Sequence, residues 1–125
     1  MILIAENDDS MRTVLHDSLL RSGYRVEALA DGQLLWPMLQ AGGVELLILD
    51  LRMPGMNGWE VLRRLKDEHR RGQTPTADPP VIVISAQSDP ETERFALRLG
   101  AAAFIAKPLD LHDLGVTVRR VLGAG

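Results

Sequence analysis

Cysteine is absent from the 125 residues, which excludes a disulfide framework, thiolate-bound zinc and a cysteine nucleophile. Long apolar runs are absent too. The longest is the six residues Ala101–Ala106, far short of the ~20 that a bilayer-spanning helix needs. No basic segment precedes an apolar stretch at the start of the chain, so no secretory signal peptide is expected and the chain is assigned to the cytoplasm. Nor is there a basic excess. Fourteen Lys and Arg stand against seventeen Asp and Glu, a net charge of −3. Nucleic-acid-binding domains carry a basic surface, so direct nucleic-acid binding is not expected, and neither is membrane binding.

Hydrophobic residues make up 46% and charged residues 25%, the balance of a globular chain, and the length fits one domain over residues 1–125. A domain of this size buries roughly two thirds of its unfolded surface and needs no metal staple to fold. Strand-like apolar runs alternate with segments of helical period. Ile2–Ala5 is apolar, and Ser10–Arg21 places Met11, Val14, Leu15, Ser18 and Leu19 on one face before a stop at Gly23. Tyr24–Ala28 alternates in polarity, as a strand with one exposed side does. Gln33–Gln40 is a weak helix, because Pro37 costs about 3 kcal/mol in a helix interior and must kink it or delay its start. Glu45–Leu49 leads into Asp50 and the turn-rich Met53–Gly58. Trp59–His69 is helical with Val61, Leu62 and Leu65 inward, and the polar, proline-rich stretch 70–80 is a long surface loop.

Val81–Ile84 is the fourth strand, closed by Ser85. Asp89 before Pro90 caps the next helix, although Ser88 and Glu91 compete for that end with capping-box spacing. Thr92, Phe95, Ala96 and Leu99 face inward and Gly100 ends the helix. Ala103–Ala106 is the fifth strand, and Asp110 caps a last helix with Leu111, Leu114, Val118, Val121 and Leu122 inward.

Five strands and five helices in strict alternation predict an α/β domain, a parallel sheet with helices on both faces. The first, third and fourth strands are uniformly apolar and belong in the centre; the alternating second belongs at an edge. The order 2-1-3-4-5 follows, a flavodoxin-like doubly wound sheet with its ligand crevice beyond the carboxyl ends of strands 1 and 3. At the strand ends stand Glu6-Asn7, Asp50, Ser85-Ala86 and Lys107-Pro108. Taken singly, each is an ordinary cap or turn residue. Gathered at one edge of one sheet, two carboxylates, a hydroxyl and an ammonium make a candidate site.

Three segments sharpen this: Leu47-Ile48-Leu49-Asp50-Leu51-Arg52-Met53-Pro54-Gly55-Met56-Asn57-Gly58, then Val83-Ile84-Ser85-Ala86, then Gly100-Ala101 through Phe104 to Lys107-Pro108. They resemble the receiver domain of two-component response regulators, and the resemblance runs the whole chain. The sheet order is that of the family's chemotaxis member. The resemblance implies that Asp50 accepts a phosphoryl group from a sensor histidine kinase or a histidine phosphotransfer protein. Lys107 then offsets charge on the phosphoryl group and Ser85 donates a hydrogen bond to it. It further implies a Mg²⁺ ion held by Asp50, by Glu6-Asn7 and by the backbone carbonyl of Arg52, with waters completing the shell. The Lys107-Pro108 bond is expected to be cis.

Phosphoryl transfer of this kind needs positioning and charge neutralisation more than covalent work, so the domain is expected to be a switch with self-catalysed transfer and slow autodephosphorylation. Phe104 matches the family's aromatic switch position, with the ordinary alternative of a core phenylalanine. In the switch reading Ser85 moves toward a phosphoryl group carrying a charge of about −1.5 to −2, and Phe104 fills the space it leaves. The face of the fourth helix, fifth strand and fifth helix then controls an output protein or domain, and it also offers a surface for a homodimer. Arg52 and Gln87 take the rim positions that set how fast water removes the phosphoryl group. A bulky cation there predicts a long-lived phosphoform.

One departure stands out. The family has two acidic residues after the first strand, where this chain has Glu6-Asn7. An Asn carbonyl can ligate Mg²⁺ but adds no charge, which predicts weaker metal binding than with Asp at position 7, and a tighter constant in Asn7→Asp. A competing register makes Asp8-Asp9 the acidic pair; otherwise these two complement the helix dipole. Asn7 also motivates an alternative function, a pseudo-receiver that binds partners without being phosphorylated. The joint presence of Asp50, Ser85 and Lys107 favours the phosphoacceptor. A hydrolase would want a second acid where Arg52 stands, and no glycine-rich nucleotide loop is present. His16, His69 and His112 are scattered without metal-ligand spacing, Trp36 and Trp59 suit packing, and the Arg63-Arg64, Arg70-Arg71 and Arg119-Arg120 pairs suit solvated surfaces. The closing Gly123-Ala124-Gly125 suits a linker, which leaves open a stand-alone regulator or the first domain of a longer one.

Overall fold

The computed structural model describes residues 1–53, 55–71, 79–86 and 89–123, with the side chains of 68–71 outside the description. Five strands form one parallel sheet: β1 Ile2–Ala5, β2 Val26–Leu29, β3 Leu46–Asp50, β4 Val81–Ser85 and β5 Ala103–Ala106. Their order is β2-β1-β3-β4-β5, as the apolar content of each strand predicts. β1, β3 and β4 are buried along their whole length, so apolar side chains occupy both of their faces. In the edge strand β2, Glu27 is exposed between half-buried Val26 and Ala28. The register sets Ile4 beside Ile48, Ile48 beside Ile82 and Ser85 beside Ala106.

Alternation along the strands divides the core in two. Ile2, Ile4, Leu46, Ile48, Ile82 and Ile84 face one way, toward Leu15 and Leu19 of α1 (Asp9–Arg21) and Leu114 and Val118 of α5 (Leu111–Gly123). Leu3, Ala5, Leu47, Leu49, Val81 and Val83 face the other. There they meet Leu35 of α2 (Leu35–Ala41), Val61, Leu62 and Leu65 of α3 (Gly58–Arg71), and Ala96 of α4 (Pro90–Arg98). Among the described residues no helix is long and apolar enough to cross a membrane.

The helix ends follow local chemistry. Asp8 caps α1, its carboxylate accepting from the Ser10 amide at 3.0 Å. Asp89 caps α4 with Pro90 in the first turn, accepting from the Thr92 amide at 2.8 Å; Ser88, its competitor, lies outside the described residues. Asp110 caps α5 through the amides of His112 and Asp113. α2 starts two residues later than its periodicity predicts, so that Pro37 falls within its first turn, where the missing N–H has no partner to lose. α3 runs two residues past His69, and the loop expected from 70 onward falls largely on 72–78, outside the description.

Three expected core positions are instead exposed: Val14, Phe95 and Leu111. The buried stripe of α1 is narrow, Leu15 and Leu19 only, and leaves Val14 beside it in solvent. Phe95 leaves the sheet and meets the Trp59 ring edge-on, centroids 5.1 Å apart. Leu111 is the first residue of its helix, and its side chain stays exposed there. A two-stranded antiparallel ribbon, Arg52–Met53 with Met56–Asn57, is an addition the strand pattern does not announce.

Candidate functional site

β1, β3, β4 and β5 all run in the same direction, so the residues at their carboxyl ends meet at one rim. Glu6 follows β1 and is fully buried; Asp50 ends β3 and Ser85 ends β4, at 4% and 3% exposure. Lys107 follows β5, and its bond to Pro108 is cis. The ammonium of Lys107 lies 2.6 Å from Glu6 Oε1 and 3.3 Å from Asp50 Oδ2, bridging two carboxylates that are far apart in sequence. Its contact with Glu6 is an ion pair and not an aligned hydrogen bond.

Each carboxylate has a second anchor. Asp50 Oδ1 accepts from the backbone N–H of Arg52 at 3.0 Å, and Glu6 Oε2 accepts from that of Asp8 at 3.4 Å. Gly58 permits the tight return of the chain: a Cβ there would sit 2.7 Å from the Leu51 Cα, while its N–H donates to the Leu51 carbonyl at 3.2 Å. That approach draws the start of α3 and the ribbon over the end of β3. A cleft of about 510 Å³ opens beside Asp50, lined by Asn7, Leu51, Arg52, Met53, Met56, Asn57, Trp59 and Ser85.

Burial raises the pKa of Glu6 to about 7. The hydrogen bond and negative charge of Asp50 push the same way, and Lys107 opposes them. For Lys107 burial acts against the charge, but the close contact with Glu6 and the charges of Asp50 and Glu6 outweigh it, and its pKa is raised. The site thus favours a charged lysine and resists two charged carboxylates.

The Asn7 amide is oriented by its surroundings. Turned one way, its oxygen faces only acceptors. Turned the other way, Nδ2 donates to Asp50 Oδ2 at 3.0 Å, to the Arg52 carbonyl at 3.1 Å and to Glu6 Oε2 at 3.2 Å. Three hard oxygens therefore point at one position. That donor chemistry suits Mg²⁺, with two carboxylates in reach and the asparagine contributing no charge. Among the described residues no three acidic, histidine or cysteine side chains gather into a metal cluster.

The structure thus brings Glu6, Asn7, Asp50, the Arg52 carbonyl and Lys107 into mutual contact, with Ser85 on the wall of the same cleft. Phe104 is half-buried on the α3 and α4 side of the sheet. It pairs with Val83, two residues before Ser85, so the ring and the hydroxyl share that side. Gln87 lies outside the described residues, and the Arg52 side chain is exposed. Asp8 and Asp9 are exposed at the start of α1, outside the cluster. Their competing register fails, because β1 ends at Ala5 and Asp8 is committed to capping.

Two contacts were not anticipated. Arg12 reaches back from α1 and donates to the carbonyls of Glu6 and Asn7 at 3.1 and 3.5 Å while paired with Asp9, which fixes the loop that carries the site. Its only sequence signal is the Asp9–Arg12 spacing. Arg64, expected in solvent, stacks 4.0 Å from the centre of the Trp36 ring.

Comparison with known proteins agrees with this architecture. Residues 2–119 match the response regulator receiver domain family. The DNA-binding transcriptional regulator NtrC of Rhizobium meliloti is 36% identical over 121 residues, 97% of this chain and 24% of that protein. The transcriptional regulatory protein AfsQ1 of Streptomyces coelicolor is 33% identical over 99% of this chain and 52% of its own length. The chain therefore spans between a quarter and about half of these relatives. The solved structure of Vibrio cholerae chemotaxis protein CheY4 superimposes with a TM-score of 0.80 at 26% identity, covering 97% of both chains. With the match extending from β1 into α5, the chain belongs to the response regulator receiver domain family.

Proposed function

We propose that the domain is a phosphoacceptor switch in which Asp50 takes a phosphoryl group from a histidine kinase or a histidine phosphotransfer protein in the cytoplasm. The observation that carries this reading is the position of the Lys107 ammonium, 3.3 Å from Asp50 Oδ2 and held from behind by Glu6. A carboxylate oxygen of Asp50 attacks phosphorus from the cleft, the new O–P bond forms as the P–N bond to the donor imidazole breaks, and the imidazole departs with its electron pair. Lys107 neutralises charge on the incoming group, and the Arg52 N–H keeps the carboxylate oriented. Glu6, Asp50, the Arg52 carbonyl and Asn7 would hold a Mg²⁺ ion, which would add to the neutralisation of charge on the phosphoryl oxygens.

Ser85, at the wall of the cleft, donates to the phosphoryl group. Because it shares a face of the sheet with Phe104, its movement changes the packing of the ring between β5 and α4. The α4–β5–α5 face then alters its contacts with an output protein or domain. Asn7 favours a second reading, a pseudo-receiver, because its amide satisfies the cluster without metal. Incubation with Mg²⁺ and a small phosphodonor, read by intact mass, separates the two. The wild type gains one phosphoryl group and Asp50→Asn gains none; an unmodified wild type defeats the phosphoacceptor reading.

A further inference from the structure

The three oxygens that point at one position at the rim surround the end of the Asn7 side chain. With the amide turned so that its oxygen no longer faces acceptors alone, Nδ2 of Asn7 lies 3.0 Å from Asp50 Oδ2, 3.1 Å from the Arg52 carbonyl and 3.2 Å from Glu6 Oε2. An amide nitrogen carries two N–H bonds, so three acceptors share two hydrogens and at least one bond is bifurcated. A carboxamide suits this position better than the two obvious alternatives. An aspartate would add a third carboxylate against a single lysine, and an aliphatic side chain would leave the oxygens to water. The amide brings a partial positive charge where the site is richest in lone pairs. Its other end, Oδ1, is the only atom of the side chain that a cation could use.

We propose that the Asn7 carboxamide is a built-in occupant of the cation position: it donates to Glu6, Asp50 and the Arg52 carbonyl in the metal-free domain, and it must rotate about its Cβ–Cγ bond to present Oδ1 before a divalent cation can be held. Metal entry is then an exchange of one satisfied arrangement for another. The weak binding that loss of a charge alone would give is weakened again by competition from the amide, and the metal-free site is held in order. The inference rests on the phosphoacceptor reading for its metal, but not for the amide contacts.

Three variants separate competition from simple loss of a ligand. Mg²⁺ dissociation constants are measured by calorimetry for the wild type, Asn7→Asp and Asn7→Ala, each checked for folding by circular dichroism. Asn7→Asp is expected to bind at least about tenfold more tightly than the wild type, since affinity follows the number of ligand charges. The decisive comparison is Asn7→Ala. If Asn7 is only a poor ligand, its removal weakens binding further. If it is a competitor, the alanine variant binds as tightly as the wild type or more so, and weaker binding by Asn7→Ala overturns the proposal. Side-chain amide NMR supplies a readout independent of affinity. The Asn7 NH₂ protons should be protected from solvent exchange in chelator and lose that protection on saturation with Mg²⁺; exchange at the free-asparagine rate in chelator also overturns it. Absence of Mg²⁺ binding even in Asn7→Asp instead defeats the metal site of the proposed function. In that event protected amide protons in chelator would still stand as the amide contacts.

Discussion

Ala5 and Glu6 are both fully buried, Leu49 and Asp50 nearly equally so, and Ile84 is followed by a Ser85 of 3% exposure. One step along each central strand changes the chemistry completely while the burial hardly changes. Below the rim, each aliphatic side chain taken from water contributes about 1.5–3 kcal/mol. At the rim the same burial works against folding, because two carboxylates are withdrawn from water and only partly compensated by one ammonium and a few N–H donors. The interior holds the molecule together, and the rim is a strained arrangement that the interior keeps in place. Variants on the two sides should therefore fail in opposite ways.

The largest effect on stability belongs to the interior. Ile48→Ala, in the central strand and between Ile4 and Ile82, should cost about 2–5 kcal/mol in urea unfolding. Where the variant remains folded, its phosphorylation should be close to that of the wild type. Lys107→Ala should show the reverse. Loss of one preorganised positive group near a transferring phosphoryl group should slow phosphorylation by about 10²-fold. Its effect on stability should be smaller than that of Ile48→Ala, because the ammonium is partly exposed and water can replace it. A Lys107→Ala protein that is phosphorylated at the wild-type rate but unfolds as readily as Ile48→Ala would erase the distinction.

Glu6 sharpens the comparison through pH. Its folded pKa, raised to about 7 from 4.5, means that the folded domain holds the proton more tightly than the unfolded chain. The stability this contributes is fully present below pH 4.5 and is lost as pH rises through about 7. Glu6→Gln, which cannot ionise, should lose less stability than the wild type between pH 5 and pH 8 in the presence of chelator. Urea midpoints at the two pH values test this, and equal losses in both proteins would show that the rim carboxylate is not under strain. The donors on Glu6 Oε2, from Asp8 and Asn7, favour the ionised form and reduce the difference without reversing its sign.

The interior was legible in the sequence because burial on both faces demands uninterrupted aliphatic runs, and Ile2–Ala5, Leu46–Leu49 and Val81–Ile84 supply them. The parallel order then carries Glu6, Asp50, Ser85 and Lys107 to one edge without any further signal from the residues themselves. What escaped the sequence depends on more than one element at once. Helical period placed Phe95 inward, but the ring turns aside to Trp59, a partner on another helix. Arg12 is an ordinary α1 residue until the β1–α1 loop folds back within its reach. The orientation of the Asn7 amide is set by the neighbouring Glu6 together with Asp50 and the Arg52 carbonyl at the end of β3, which local sequence at position 7 does not reveal.

The smallest expected effect lies at the outer margin of the rim, where Arg52 divides its roles between backbone and side chain. Its N–H holds Asp50 Oδ1 and its carbonyl faces Asn7, and both survive any substitution that keeps the chain path. Arg52→Ala should therefore leave the rate of phosphorylation within experimental scatter. Arg52 is exposed and lines the cleft beside Asp50, so its side chain can hinder the approach of water to a phosphoryl group there. Its removal should shorten the lifetime of the phosphoform a few-fold, followed as the decay of the phosphorylated mass after the donor is removed. An unchanged or longer lifetime would return control of water to the parts of the rim that no side-chain truncation at position 52 can reach.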